Sequence, residues 1–255
     1  PGREGPNTLR RNSPALFNLA FRGTFNWDGS AQSMEEQALM PLLAADEMNL
    51  HPEDAVAELT AIPEYVELFA EAFPDNPRVT VENLASALAA FQRTMVSDRS
   101  LYDAYARGHT EVFDDELVEG MFLFAEKGCS DCHTPPLFES ETFANRNIEE
   151  LQGVVDDGRA EVTGRADDIG KFRTPTLRNA FATEPYFHDG SVKELSEAIR
   201  HELEQSDLPF TDDEAHLIYR FIDEALRDDS RSAIRPRNVP SGLPTPLDGV
   251  IFPRR

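Results

Sequence analysis

The stretch Cys129-Ser130-Asp131-Cys132-His133 decides how the rest of this sequence is interpreted. Its C-x-x-C-H spacing is the pattern of covalent haem c attachment. Each cysteine thiol adds to one vinyl group of the haem, and the adjacent histidine then ligates the iron. The spacing matters because two thioether bonds and one iron–nitrogen bond must meet a single rigid macrocycle. The motif therefore predicts one haem c, bound through Cys129, Cys132 and His133.

Two other interpretations of the motif are a redox disulfide and half of a zinc site. The chain has only two cysteines, so no second pair exists to complete a four-ligand zinc site. A C-x-x-C redox motif is typical of a βαβ context, which the sequence does not show. Haem c is the favoured interpretation. Because haem c is attached on the outer side of the membrane, we expect a periplasmic or otherwise extracytoplasmic location.

Composition limits the partners of the chain. Its 255 residues, 40% of them hydrophobic, are enough for a sizeable core. The formal net charge of -23 disfavours nucleic acid and favours a basic protein partner. No segment reaches the roughly 18 apolar residues of a membrane span.

Helical signals dominate and predict a mainly α fold with little β structure. Capping boxes at Ser33, Ser191 and Thr211 predict helices that end near Pro41, Glu204 and Arg227. Further helices are predicted over 52–62, from 63, from 80, over 101–106 and over 114–128. Residues 135–185 are predicted to be mostly irregular, and so long a loop is typical of a segment that wraps something.

The residues alone leave the sixth iron ligand open, because Met, His and Tyr all occur in this role. The candidates by residue type are the five methionines, the five tyrosines, His51, His109, His188, His201 and His216.

Several segments, in this order, resemble the bacterial di-haem cytochrome c peroxidase and MauG family. They are 11–18, Trp27-Asp28-Gly29, Glu35-Glu36-Gln37-Ala38, Cys129 to His133, Phe172-Arg173-Thr174-Pro175-Thr176-Leu177-Arg178-Asn179, and Pro185-Tyr186-Phe187-His188-Asp189-Gly190. The ending Ser241-Gly242-Leu243-Pro244 is similar to the MauG-like branch.

The resemblance implies cytochrome c-like helical haem domains with long irregular loops. Residues 1–110 would be the remainder of an N-terminal peroxidatic domain, 111–234 a C-terminal haem domain, and 235–255 an extended tail. Family members carry two haem c groups, whereas this chain has one C-x-x-C-H. A second haem is therefore expected in an N-terminal segment that this sequence does not contain.

The family also suggests catalytic residues. Gln37, Pro41 and Glu47 match residues over the peroxidatic iron. Cleavage of O–O needs a group that moves a proton between the two peroxide oxygens, and a carboxylate can do so. Glu47 is the expected acid/base and Gln37 the group that orients peroxide. Trp27, the only tryptophan, matches a residue that relays electrons between the haems.

Two metal positions follow from the same resemblance. The side chain of Asn12 and the carbonyls of Thr183 and Pro185 match the ligands of a Ca²⁺ ion between the domains, and such oxygen ligands suit Ca²⁺. The family position of the sixth ligand of the C-terminal haem is Met or Tyr. Here it is Glu202, preceded by His201, so either residue is a candidate.

The resemblance implies a periplasmic c-type haem enzyme that reduces hydrogen peroxide or uses it to oxidise a partner protein, with the C-terminal haem as electron relay. Its partners would be a small cytochrome or cupredoxin donor, or the oxidised protein. One alternative is a mono-haem electron-transfer subunit of a larger complex, and another is a structural or sensing haem module. A homodimer or larger assembly is left open.

Overall fold

Helices make up most of the regular structure in the computed structural model, which describes residues 9–148, 155–206, 208–230, 236 and 238–243. The α-helices are α1 (Met34–Leu43), α2 (Pro52–Thr60), α3 (Pro63–Ala72), α4 (Val81–Arg93), α5 (Leu101–Ala106), α6 (Asp115–Glu126), α7 (Cys129–Cys132), α8 (Ala160–Thr163), α9 (Leu195–Glu204) and α10 (Asp212–Arg220). A π-helix, Phe221–Ala225, continues α10. Strands β1 (Phe143–Ala144) and β2 (Phe172–Arg173) pair antiparallel. The predicted mainly α class is confirmed.

Most helix starts are explained by short side chains that cap the first turn. Ser33, Thr80 and Asp114 each accept a hydrogen bond from the main-chain N–H three residues later. Ser100 and Thr211 form complete capping boxes. These bonds satisfy N–H groups that have no partner within the helix. The predicted starts of α1, α4, α6 and α10 are confirmed.

The predicted helix start at Ser191 is wrong, because α9 begins only at Leu195. The main-chain N–H of Tyr186 donates to the carbonyl of Val192 at 2.6 Å. The N–H of Ser191 donates to the Asp189 carboxylate at 3.0 Å. This loop pairing keeps Val192 in a bridge and leaves no room for a helical turn there.

The predicted end of α1 near Pro41 is displaced by a short distance. The helix includes Pro41 and ends at Leu43. Proline removes one N–H donor from a helix and disfavours its interior. Because only two helical residues follow Pro41, the missing N–H hydrogen bond falls in the last turn of α1, where it disturbs the helix least.

Two hydrophobic clusters are seen in the described residues. The smaller one joins the N-terminal segment to α1 and α4 and consists of Leu19, Phe25, Ala31, Met34 and Ala89. The larger one lies between α6, α9, α10 and the π-helix, with Phe138, Ile218, Phe221 and Leu226 almost fully buried. Gly120 lets α6 approach α10, since a Cβ there would collide with the carbonyl of Leu217.

Ion pairs tie the N-terminal segment to the C-terminal half. Arg11 pairs with Asp28 at 2.5 Å and with Asp156 at 2.7 Å. Arg22 donates through Nε to Glu139 at 2.7 Å, and both side chains are buried. Charged partners so far from water need each other, because an unpaired buried charge is costly. These pairs bring the N-terminal segment against the half that carries the C-x-x-C-H motif.

The division into 1–110, 111–234 and 235–255 stays a proposal. Most of the predicted tail, including Pro244 of its family-like motif, lies outside the described residues. None of the helices in the described ranges combines the length and the apolar composition needed to cross a lipid bilayer.

Candidate haem site

The C-x-x-C-H motif forms a single helical turn at the wall of a cavity. Gly128 has a φ of 78°, which glycine adopts without steric cost, and this lets the chain turn between α6 and α7. The N–H of His133 donates to the carbonyl of Cys129 at 2.9 Å and closes the turn. Cys129, Cys132 and His133 all line a cavity of about 560 Å³. The motif therefore presents both thiols and the imidazole to one space.

The ring of His133 is oriented for iron ligation. Its Nδ1 lies 3.1 Å from the carbonyl of Phe138, so Nδ1–H is the donor and Nε2 remains an acceptor. Burial lowers the pKa of His133, which favours the neutral ring that a metal requires. Burial also raises the pKa of the Cys129 thiol to about 11, so this sulfur stays protonated before attachment.

The walls of the cavity suit a large apolar ring. Apolar side chains of four helical segments line it: Phe124, Leu195, Ile199, Leu203, Ile218 and Ile222. An apolar cavity with a few placed polar groups is typical of cofactor sites. The thiol pair, the oriented histidine and these walls together fit a haem c.

The two candidate sixth ligands differ in position. Glu202 lines the cavity, and its carboxylate accepts a hydrogen bond from Arg146 Nε at 2.7 Å. The Nε2 of His201 lies 2.7 Å from the carbonyl of Arg146. Among the described residues that line the cavity, Glu202 is included and His201 is not. The structure thus brings Glu202, and not His201, to the haem motif.

The residues matched to the electron relay and to Ca²⁺ lie along the same cavity. Trp27, Asn12, Thr183 and Pro185 all line it. The indole N–H of Trp27 donates to the carbonyl of Asn12 at 2.8 Å. The side-chain amide of Asn12 donates to the carbonyl of Pro185 at 2.5 Å. These four predicted residues, widely separated in sequence, are therefore brought together.

The three predicted catalytic residues do not line this cavity, among the residues that the structure describes. They are Gln37, Pro41 and Glu47. Gln37 and Pro41 are four residues apart and share one face of α1. Glu47 lies in the turn that follows, where the N–H of Met48 donates back to the carbonyl of Pro41 at 3.2 Å. Gln37 accepts a hydrogen bond from Gln92 of α4 at 3.3 Å. The three residues thus belong to one region, on the N-terminal side of the molecule.

Sequence reasoning did not assign the arginines of the cavity: Arg22, Arg146 and Arg173 line it together with Glu202. The side chains of Arg22 and Arg173 are only 6% and 4% exposed. The only sequence signal was the place of Arg173 in the motif Phe172-Arg173-Thr174-Pro175. Burial so deep depends on long-range packing, which a motif does not reveal.

A family model described as di-haem cytochrome c peroxidase matches residues 2–111. The chain is 35% identical over 195 residues to a cytochrome c551 peroxidase of Pseudomonas aeruginosa. The aligned region covers 74% of this chain and 56% of the relative. The chain is also 31% identical over 241 residues to a cytochrome c551 peroxidase of Nitrosomonas europaea. That aligned region covers 92% of this chain and 71% of the relative. The chain thus spans little more than half the length of the Pseudomonas protein.

A solved structure has a similar fold. It is a MauG-like protein associated with microbial copper homeostasis, with a TM-score of 0.77, 27% identity, and coverage of 87% of this chain and 77% of that one. The helical fold, the haem-attachment motif and these relatives agree with the resemblance seen in the sequence. The chain belongs to the di-haem cytochrome c peroxidase family, which includes the MauG proteins.

Proposed function

We propose that this chain is the C-terminal haem portion of a periplasmic peroxidase or peroxide-dependent oxidase. The protein would reduce hydrogen peroxide, or use it to oxidise a partner protein, and the haem at His133 would relay electrons. The observation that carries this proposal is the shared cavity, in which Trp27 and the C-x-x-C-H motif line the same space. Periplasmic location follows from covalent haem attachment.

In this proposal the haem supplies one-electron redox chemistry, and the residues of the chain hold and serve it. Cys129 and Cys132 would anchor it by thioethers, and Nε2 of His133 would hold its iron. We propose Glu202 as the candidate sixth ligand, because this residue lines the cavity, with His201 the less favoured choice. Trp27 belongs to the N-terminal segment, lines this cavity and would carry the electron.

Peroxide cleavage is assigned to the region of α1. A second haem, carried by a segment outside this sequence, would lie over Gln37 and Pro41. Gln37 would orient peroxide by hydrogen bonds, and Glu47 would move a proton from the inner to the outer oxygen. The Gln92 amide, which donates to Gln37, supports the orientation of that side chain.

A Ca²⁺ ion held by Asn12, Thr183 and Pro185 is part of the proposal. The Asn12 side chain already lies 2.5 Å from the carbonyl of Pro185, so a carboxamide and a carbonyl meet at this point. Oxygen ligands of this kind, completed by water, suit Ca²⁺. Removal of Ca²⁺ with EGTA is expected to lower the melting temperature of the protein and not of its Asn12→Ala variant. Equal responses would contradict the calcium site.

The physiological partner would be a small basic cytochrome or a cupredoxin, or a protein whose residues are oxidised. The net charge of -23 favours a basic partner at low ionic strength. Steady-state turnover with such a donor should fall as salt is added. If turnover does not change with salt, the partner is not recognised through charge attraction.

A second candidate function is electron transfer without peroxidase activity. It is favoured by one observation, since the 255 residues contain a single C-x-x-C-H. In that case Gln37 and Glu47 would have no iron to serve. The two functions differ in the number of haems that the whole protein carries.

The deciding experiment measures haem stoichiometry and peroxide turnover on the protein isolated from its source. Two covalent haems and reoxidation of the reduced protein by peroxide are expected. A Glu47→Gln variant should retain both haems and lose most turnover, whereas Glu53→Gln, which changes an exposed residue of α2, should not. One haem and no peroxide response would overturn the peroxidase proposal and leave electron transfer.

A further inference from the structure

Arg146 contacts both candidate sixth ligands of the haem iron. Its Nε donates to Oε2 of Glu202 at 2.7 Å, and its Nη2 lies 2.6 Å from the same oxygen. Its main-chain carbonyl lies 2.7 Å from Nε2 of His201. The loop after β1 is held on α9 by a further bond, from the side-chain amide of Asn147 to Gln205 at 2.7 Å. Arg146 thus acts on two neighbouring residues of α9 through two different groups.

The contact with the main chain of Arg146 engages the ring of His201. A carbonyl oxygen only accepts hydrogen bonds, so Nε2 of His201 carries the hydrogen and has no lone pair to offer a metal. The ring also lies edge-on to Phe187, with centroids 5.2 Å apart. Ligation of iron through Nε2 of His201 would require the bond to Arg146 to break.

The guanidinium of Arg146 leaves one oxygen of Glu202 open. Both close contacts are made to Oε2, and Oε1 has no hydrogen bond to the residues that the structure describes. A carboxylate that ligates a metal is in turn hydrogen-bonded by an outer partner, which orients it. Arg146 and Glu202 both line the haem cavity. The pair therefore has the form of a metal ligand and its outer partner, with Oε1 left for the iron.

The two side chains are not fixed by dense packing. The side chains of Arg146 and Glu202 are 37% and 35% exposed. A long glutamate side chain loses rotamer freedom when it binds, and an ion pair that orders it beforehand lowers this cost. The charges also reach the attachment motif. Burial is the largest influence on the pKa of Cys129 and of His133, and Glu202 and Arg146 act on both pKa values with opposite signs.

We propose that Arg146 determines which residue of α9 ligates the iron. Its guanidinium orients Glu202, and its carbonyl engages Nε2 of His201. Arg146 is a positioning residue, since it acts on the iron through Glu202. The inference rests on the proposed covalent haem and on Glu202 as its sixth ligand, and it adds the residue that selects this ligand.

The test measures how readily imidazole displaces the sixth ligand in the haem-loaded protein isolated from its source. Imidazole binds ferric iron and competes with Glu202, and absorption and low-temperature EPR spectra follow its binding. Arg146→Leu removes the outer partner, so the dissociation constant of imidazole is expected to fall about tenfold, as is typical when such a partner is lost. Arg146→Lys keeps the charge and one donor and should recover most of the wild-type value.

Two further variants assign the effect to Glu202. Glu202→Ala identifies the spectral component of this haem, because it removes the proposed ligand itself. In that background Arg146→Leu should change imidazole binding by less than about twofold, since the two residues act as one unit. The matched control is Arg200→Leu, at an arginine of α9 that is 48% exposed and paired with Asp212 at 2.9 Å, and imidazole binding should stay at the wild-type value.

The outcomes separate this inference from the proposed function. A protein without covalent haem overturns both. Unchanged spectra in Glu202→Ala overturn the ligand and this inference, and leave the haem in place. An imidazole affinity of Arg146→Leu equal to or weaker than that of the wild type overturns the inference alone. An equal effect of Arg146→Leu with and without Glu202 would show that Arg146 has only a structural role. If Arg146→Leu does not fold, Arg146→Gln decides by the same comparison.

Discussion

The indole nitrogen of Trp27 donates a hydrogen bond to the main-chain carbonyl of Asn12 at a distance of 2.8 Å. The N–H of Asn12 in turn donates to the carbonyl of His188 at 2.6 Å. The carbonyl of Trp27 accepts from the N–H of Arg173. A single tryptophan of the N-terminal segment is thus bonded on two sides to elements that line the haem cavity. Its orientation relative to that cavity is fixed by main-chain contacts.

We predict that Trp27→Phe slows electron transfer between the proposed peroxide site and the proposed haem at His133. Phenylalanine removes the oxidisable indole and also the bond to Asn12, which should cost about 1 kcal/mol of stability. Stopped-flow reoxidation of the reduced enzyme by peroxide measures the rate. Phe21→Leu is the control, since Phe21 is an exposed aromatic residue of the same segment. Reoxidation of Trp27→Phe at the wild-type rate would rule out the relay.

We predict that Glu202→Met raises the reduction potential of the haem. A thioether in place of the Glu202 carboxylate would supply the Met/His ligation that raises the potential in cytochromes c. The partner of Glu202, Arg146, is itself 37% exposed, so the loss of its ion pair should cost little stability. The potential and the ligand-sensitive absorption bands are the readouts. Glu204→Met, at an exposed position of the same helix, should change neither. A potential equal to that of the wild type would show that residue 202 does not reach the iron.

We predict that Gly120→Ala destabilises the C-terminal half. The added Cβ would collide with the carbonyl of Leu217 and lie 3.2 Å from the Cβ of Phe221. Backbone cannot move aside easily, so α6 and α10 must separate, at a cost of about 1–3 kcal/mol. Urea unfolding followed by circular dichroism measures the loss. Gly23→Ala, where nothing lies within 4 Å of the new Cβ, should stay within about 0.5 kcal/mol of the wild type. Equal losses in both variants would contradict close packing of these helices.

We predict that Arg11 protects the fold against acid. Burial raises the pKa of Asp28 and of Asp156, but the hydrogen bonds and charge of Arg11, together with hydrogen bonds from Ser30 and Gly158, lower both pKa values below the ordinary value. At pH values between the lowered pKa of the folded state and the ordinary pKa of the unfolded state, the unfolded chain binds more protons than the folded one. Stability from these groups is therefore complete above the unfolded pKa of about 4 and is lost as the pH falls below it.

The corresponding measurement is the midpoint of acid unfolding. Arg11→Gln removes the cation that both carboxylates share, although Asp156 keeps its contact with Arg10 at 3.3 Å, so the midpoint should move to higher pH. Arg165→Gln is the control, because Arg165 is 69% exposed and its nearest acidic contacts are 3.8 and 3.9 Å away. An unchanged midpoint in Arg11→Gln would mean that these ion pairs do not carry the acid stability.

What the sequence by itself determined is the local chemistry. The C-x-x-C-H spacing is complete within five residues, so the haem attachment needs no knowledge of the fold. Capping residues such as Thr80 and Thr211 act on N–H groups three residues away, and these helix starts were predictable for the same reason. Ser191 had the same pattern and no helix starts there, because a bridge between Tyr186 and Val192, six residues apart, occupies that backbone.

The tertiary structure decided which side chains meet. His201 and Glu202 are adjacent on α9, and neighbouring residues on a helix point about 100° apart; of these two, Glu202 lines the cavity. The packing of α9 thus places Glu202, the proposed ligand, in the cavity wall. Arg173 looks like an ordinary charged residue in the sequence, and its burial arises from contacts with Trp27, Glu139 and Glu141, which lie 32 to 146 positions away in the chain. No local pattern encodes such contacts, because they depend on how distant segments pack around one cavity.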